Sequence, residues 1–335
     1  MTKHKHAAFT ICSNNYLGQA LALKRSLLKH NPEMSLFIIL VDKLSDQVDY
    51  SIFEPAEILP IADISSIDLE DLIARYYIIE LNTAVKPSVF KFLKSTYPQI
   101  DVLYYLDPDL YFYSSLSETN DILKNKTAVL TPHVLSPIPR DGHQPEENTF
   151  LRFGVYNLGF LGLRMNSDIT TKLLDWWEER VIHFGYDRPN EGYFVDQLWM
   201  AHAPLFFENV VVLHTYSYNM APWNLHERHV TSVDGENVSL NDGSQLVFYH
   251  FSKLSDDKNA ISREYDRYVL DDFPLLKAMY TEYKEILKTC NYSEYKQIPI
   301  AYPVKLNLKP EPKQYSLFGK LLRKIGWRMI RWSEN

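Results

Sequence analysis

The sequence predicts an α/β protein with parallel strands in its sheet, and three observations carry that expectation. The first 41 residues read as strand, helix, strand. The run Val102-Leu-Tyr-Tyr-Leu106 has the length, branching and aromatic content of a buried strand, yet it ends in Asp107-Pro-Asp109. Composition sets the outer limits: 335 residues, 46% hydrophobic, 23% charged and only 11 glycines describe an ordinary globular chain. One large α/β domain or two modest ones would fit.

Ala7–Cys12 reads as the first strand, Leu17–Lys29 as a helix capped by Asn14 or Asn15, and Ser35–Val41 as a second strand ending at Asp42. A βαβ opening implies right-handed crossovers and ligands bound beyond the strands' carboxyl ends. Asp68–Leu81 reads as helical, and Glu80–Leu93 as a second helix with Pro87 near its first turn. Leu110–Tyr113 is strand-like, Leu116–Lys124 a helix and Ala128–Thr131 a short strand. Pro137–Asn148 is polar and rich in breakers, the character of a mobile loop over a site. Val155–Leu163 reads as a strand whose glycines mark a close approach of ligand or backbone. Ile169–Phe184 is an amphipathic helix with Trp176 and Trp177 as core anchors, and Leu246–Phe251 is an apolar strand carrying His250.

Two carboxylates one residue apart leave a piece of backbone that Pro108 stiffens. Asp and Pro are also ordinary turn residues. At a strand's carboxyl edge, however, hard oxygens suit Mg²⁺ or Mn²⁺ shared with a substrate's phosphates. Transfer from a nucleotide diphosphate needs that arrangement. Ser13, Asn15 and Tyr16 lie at the same edge, where amides can pair with a base and Tyr16 can stack on it; helix capping is an equal reading for the asparagines. The chain has no Gly-x-Gly-x-x-Gly after the first strand and no Walker loop. Phosphate charge must therefore be met by a metal and side chains, with Lys86 or Arg75 and, downstream, Lys253 as candidates. Asp196-Gln197 follows the loop 187–192 and opens a short helix. Tyr218–His226 is dense in donors, acceptors and a ring, so Asn219, Trp223 and Asn224 are candidate sugar contacts. His250, at a strand end, supplies the third metal ligand that the Asp pair lacks.

Two cysteines, Cys12 and Cys290, give neither a disulfide framework nor metal spacing, which points to a reducing compartment. No secretory signal is visible and no segment approaches about 18 apolar residues. From Lys313 onward six basic residues face Glu334, a balance of +5, so residues 1–312 carry −12 of a whole-chain −7. A body that acidic argues against nucleic acid as a partner. The expected organisation is one domain over 1–290, an extended Pro-containing linker over 291–314 and a basic amphipathic helix over 315–335. In that helix Leu317, Leu321, Ile325, Met329 and Trp332 share one arc and the basic residues another, the pattern of an anchor on anionic lipid. Packing of the helix on the acidic body is the alternative. The expected location is cytoplasmic, peripheral at the inner face of the cell membrane, with residues 315–332 as the contact.

Together, Val-Leu-Tyr-Tyr-Leu-Asp-Pro-Asp, Asn157-Leu-Gly, Asp196-Gln197 and the strand-end His250 resemble GT-A fold glycosyltransferases, particularly the family 8-like retaining enzymes, over roughly residues 7–255. Asn-Leu-Gly-Phe-Leu-Gly, Val-Asp-Gln, Ala-Pro-Trp-Asn-Leu-His-Glu-Arg and His-Phe-Ser also resemble bacterial glycosyltransferases found with surface-polysaccharide genes. The resemblance implies a GT-A (Rossmann-like) mixed sheet and transfer of a hexose from a nucleotide diphosphate sugar to a glycan or lipid-linked acceptor, with retention. It implies Asp107, Asp109 and His250 as ligands of Mn²⁺ or Mg²⁺, Asn157 in the donor site, and Asp196 and Gln197 beside the anomeric carbon. Were configuration inverted, Glu191 or Asp196 would have to act as base. Family 8 members usually follow the His with a glycine and a Lys-Pro-Trp phosphate clamp, whereas this chain reads His250-Phe-Ser-Lys-Leu. Rival readings are a sugar nucleotidyltransferase, which usually carries a Gly-rich basic loop absent here, and a non-catalytic nucleotide-sugar binding protein, which would not need metal ligands at a strand edge.

Overall fold

The computed structural model describes residues 5–304, and the expected α/β architecture, a mixed sheet flanked by helices, is the one observed. Seven strands lie in the order Val210–Val212, Ala128–Pro132, Tyr156–Arg164, Val102–Leu106, His6–Cys12, Met34–Leu40 and Glu57–Pro60. His6–Cys12 pairs parallel with Met34–Leu40 and with Val102–Leu106, as the βαβ opening requires. Tyr156–Arg164 runs antiparallel between Val102–Leu106 and Ala128–Pro132, which makes the sheet mixed.

Successive strand residues point to opposite faces, and both faces are covered. Ala8, Ile38 and Tyr104 join one apolar cluster, while their neighbours Phe9, Ile39 and Tyr105 join the other. This two-sided burial is why these strands read as continuous apolar runs and not as alternating ones. On the second face Trp177, from the Asp168–Phe184 helix, is fully enclosed. Trp176 is only partly buried and packs on Phe206 and Phe207.

Three expectations about elements change. Residues 68–81 form two helices, Leu69–Arg75 and Ile78–Ala84. Tyr76 leaves the helix so that its buried hydroxyl can donate toward the carbonyls of Val181 and Ile182, and the Glu80 carboxylate then caps the amide of Tyr77 at 2.9 Å. Asn14 and Asn15 do not cap the first helix, because Asn14–Tyr16 form a separate 3-10 turn before it. Instead the Asn14 side chain accepts from the Tyr50 hydroxyl and donates to the Lys43 carbonyl, tying the first strand's end to the chain beyond the second. Finally, the segment expected to begin a linker is packed over its described part, 291–304. Tyr292–Tyr295 is a helical turn, Tyr295 and Ile298 are buried, and the Ala301 amide donates to Asp42 at 2.8 Å. The remainder of that linker and the basic helix expected over 315–335 lie outside the described residues. Among the described residues no helix is long and apolar enough to cross a membrane.

Candidate active site

The carboxyl ends of the central strands open into a cleft of about 1110 Å³. At its floor the Asp107 amide donates to the Gly159 carbonyl at 2.7 Å, and the Tyr105 hydroxyl donates to Asp107 Oδ1 at 2.5 Å. Burial, reinforced by the Asp107 charge, pushes the Tyr105 phenol well above its usual pKa, so it stays a donor. Beyond Asp109 the strand Leu110–Phe112 pairs antiparallel with Phe248–His250, with Leu110 opposite His250. That register brings a distant histidine beside the two aspartates. His250 Nε2 lies 3.0 Å from Asp109 Oδ1 and 3.7 Å from Asp107 Oδ2. One ligand atom from each of the three falls within 4.8 Å of the others.

Gly159 makes the convergence possible. A Cβ there would stand 2.7 Å from Asp107 Oδ2, 2.7 Å from His250 Cε1 and 2.9 Å from Asn157 Oδ1. Burial disfavours the charged form of Asp109, but the charge and hydrogen bond of His250, with a backbone hydrogen bond and Lys253, together hold the carboxyl below its usual range. Burial likewise disfavours the His250 cation, and Asp109, with Asp107, raises its pKa nonetheless. The Trp223 ring stands edge-on to His250 at 5.2 Å.

Lys86 and Asp196 are brought together on the cleft wall. Lys86 Nζ sits 2.8 Å from Asp196 Oδ2, donates to the Leu158 carbonyl at 3.3 Å and lies 4.0 Å over the Tyr105 ring. Burial raises the Asp196 carboxyl's pKa, with Lys86 opposing. Lys86 is thus committed to a carboxylate and does not stand free before a phosphate. Gln197 is fastened at both ends of its amide, accepting from the Leu158 amide at 3.0 Å and donating to the Phe153 carbonyl at 2.7 Å. Neither residue opens a regular helix; they precede the 3-10 turn Trp199–His202.

The other expected site residues divide. Asn15, Tyr16, Asn157, Trp223 and Lys253 line the cleft, and Tyr16 is 43% exposed there. Ser13 is buried behind the wall and donates to Asn15 at 2.6 Å. Asn224 is wholly buried and works as a fastener: its amide donates to the carbonyls of His133 and Asn219 and accepts from the Ala221 amide. Asn219 is equally enclosed, so neither asparagine is on the wall. Glu191 is exposed, away from the cleft lining, and pairs with Arg188 at 3.4 Å. Arg75 is taken by Asp71 and the Ile182 carbonyl.

The breaker-rich loop does border the cleft, through Gln144, Glu146 and Asn148. It is pinned. Arg267 reaches Asp141 and donates to the carbonyls of His143 and Pro145, while Asp266 accepts from the Gln144 amide at 2.7 Å.

Two wall residues escaped the reading of the sequence. His133, stacked on Phe150 with centroids 4.7 Å apart, comes directly after a strand, much as His250 closes one, and that parallel was a usable signal. The Gly159 amide donates to Asn157 Oδ1, which turns Asn157 Nδ2 toward His133 Nε2 at 3.3 Å. This network assigns the acceptor role to Nε2 and the proton to Nδ1. Arg263, the second, has no local signature in the sequence.

No family model matches the chain. The uncharacterized protein YfnF of Bacillus subtilis (strain 168) is 28% identical over 246 residues, which cover 72% of this chain and 80% of YfnF. Among solved structures, galactosyltransferase LgtC in complex with donor and acceptor sugar analogues is 14% identical, covers 84% of this chain and 95% of its own, and superposes with a TM-score of 0.48. The glycosyltransferase GlyE of Streptococcus pneumoniae TIGR4 is 13% identical over 89% of this chain and 66% of its own, with a TM-score of 0.46. Both of these solved structures are of glycosyltransferases.

Proposed function

We propose that the protein is a metal-dependent glycosyltransferase that moves a hexose from a nucleotide diphosphate sugar to a glycan or lipid-linked acceptor in cell-surface polysaccharide synthesis. The observation that carries this reading is the convergence of Asp107, Asp109 and His250 at the floor of a cleft at the strands' carboxyl ends. The donor set fits Mn²⁺ or Mg²⁺: two hard carboxylates and an imidazole, with room left by the missing Cβ of Gly159. When bound, such an ion supplies countercharge to the departing diphosphate without a proton.

The chain's own residues do the rest. Tyr105 fixes one Asp107 oxygen and leaves Oδ2 toward His250. Asp196, balanced by Lys86 in a site both side chains share with almost no solvent, is a fixed negative charge suited to a sugar that becomes oxocarbenium-like. Gln197, tied at both ends to backbone, holds the wall's shape around the donor. Tyr16 presents a half-exposed ring for a base. Of the two carboxylates that inversion would call on, Glu191 is away from the cleft and Asp196 is committed to Lys86, which favours retention. Association with anionic membrane through residues 315–332 is proposed from the sequence pattern alone.

The test is a panel of nucleotide sugars incubated with Mn²⁺ or with EDTA, reading the released nucleotide. Mn²⁺-dependent release of nucleoside diphosphate supports the proposal. Pyrophosphate-dependent conversion of a nucleotide sugar into nucleoside triphosphate and sugar 1-phosphate indicates a nucleotidyltransferase, and metal-independent binding without turnover indicates a binding protein.

A further inference from the structure

Five lysine and arginine side chains line the cleft among the described residues, and four of them have partners. Lys86 is held by Asp196, and Arg152 donates to Asn190 and stands over the Phe153 ring. Lys253 pairs with Glu264 at 3.3 Å, and Lys296 lies over the Tyr292 ring at 5.2 Å. The fifth is Arg263, whose guanidinium makes no hydrogen bond, ion pair or ring contact with any described residue. An uncommitted arginine in a cleft with buried carboxylates at its floor is a group waiting for an anion, because its five donors match phosphate oxygens in a fixed fork.

The backbone presents this arginine on a braced loop. The Phe251 amide donates to the Asp109 carbonyl at 3.0 Å, and the Phe251 ring stacks on Tyr283 with centroids 3.8 Å apart. Two residues on, Lys253 adopts a left-handed conformation, φ +54°, which a side-chain-bearing residue rarely takes without a reason. Its carbonyl then accepts from the Arg263 amide at 3.0 Å, closing the loop 253–263 at its neck. Inside the loop Ile261 is buried and Ser262 Oγ accepts from the Glu264 amide. The strained residue and the neck bond set Lys253 and Arg263 side by side at the cleft. The neck stays near the acid cluster. Tyr16 lies between the two: burial raises its phenol's pKa, Asp109 adds to that and Arg263 opposes it.

We propose that Arg263, seated beside Lys253 by the neck of the 253–263 loop, is the side chain that grips the diphosphate of the donor. The inference rests on the transferase reading and names a binding group within it. Lys253 supplies a second charge, part of which Glu264 already holds. Because both cations sit on a loop that is closed before the ligand arrives, little ordering accompanies binding.

Inorganic pyrophosphate and uridine diphosphate, each titrated calorimetrically into the full chain with Mn²⁺ and with EDTA, test it without recourse to turnover. Arg263→Ala should weaken pyrophosphate binding about tenfold or more, the scale of a lost charge-assisted pair. Arg263→Lys should recover part of the loss, and the affinity of Arg263→Ala, which lacks the charge, should fall less steeply with added salt than the wild type's. Since Arg263 is exposed, thermal unfolding of both variants should match the wild type. Wild-type affinity in Arg263→Ala overturns this assignment and leaves the transferase reading standing. A wild-type chain that binds neither probe, with or without Mn²⁺, overturns both.

Discussion

Gly159 stands so close to Asp107 that a Cβ on it would lie 2.7 Å from Oδ2. The same Cβ would meet His250 Cε1, so one hydrogen in place of a methyl group decides whether aspartate and histidine can face a common ion. Gly159→Ala should lower Mn²⁺ affinity at least tenfold and destabilise the apo chain by about 1–3 kcal/mol, the usual cost of overpacking. Mn²⁺ titration and urea unfolding read the two effects. Unchanged metal affinity would remove Gly159 from the account.

The Lys86–Asp196 pair makes a second prediction. Removing one partner of a buried pair leaves an uncompensated charge and costs about 3–5 kcal/mol, whereas replacing both by apolar groups is far milder. Lys86→Met should therefore be strongly destabilised in urea unfolding. Lys86→Met/Asp196→Leu should recover most of that stability while remaining inactive. Equal stability of single and double variants would mean that the pair is not coupled.

His133 sets a pH dependence. Burial drives its pKa from 6.5 down to about 3, so the folded chain keeps it neutral. A histidine with a lowered folded pKa contributes stability above its unfolded pKa and loses it as pH falls toward the folded one. Relative to His133→Gln, the wild type should lose about 1.4 kcal/mol per pH unit on going from pH 6.5 toward pH 3. Urea midpoints of both proteins across that window check it; parallel curves would contradict the burial argument.

Arg267 staples the loop that borders the cleft, with its side chain only 3% exposed. Arg267→Ala leaves the carbonyls of His143 and Pro145 without their donor and should cost about 1–3 kcal/mol. Limited proteolysis should then cut within residues 137–148 many times faster than in the wild type. An unchanged cleavage rate would show that Arg267 is not what restrains the loop.

Much of the fold was legible because sheet strands buried on both faces must be apolar without interruption, as Val102–Leu106 and residues 36–40 are. The break between Leu69–Arg75 and Ile78–Ala84 was not, since no Gly or Pro marks it; it depends on Tyr76 reaching carbonyls of Val181 and Ile182 far along the chain. At the site, Asp107, Asp109 and His250 announced themselves as charged groups terminating apolar runs. Asn224 misled, because an amide amid aromatic residues reads the same whether it faces a ligand or ties a loop together. Lys86 misled for a related reason: sequence gives a lysine's charge but not its partner. Arg263 was invisible, as its meaning comes from the neck bond to Lys253 and from its side chain's lack of a partner among the described residues.

The central claim is that Asp107, Asp109 and His250 jointly hold a divalent cation with the donor's diphosphate. Calorimetric titration of Mn²⁺ into the wild type, Asp107→Asn and Asp109→Asn, each with a saturating nucleoside diphosphate and with folding confirmed by circular dichroism, tests it most directly. The account predicts one ion per wild-type chain and affinity lower by about 100-fold or more in each variant, since losing an outer-shell partner of a ligand already costs about 10–100-fold. Wild-type affinity in either folded variant would contradict it.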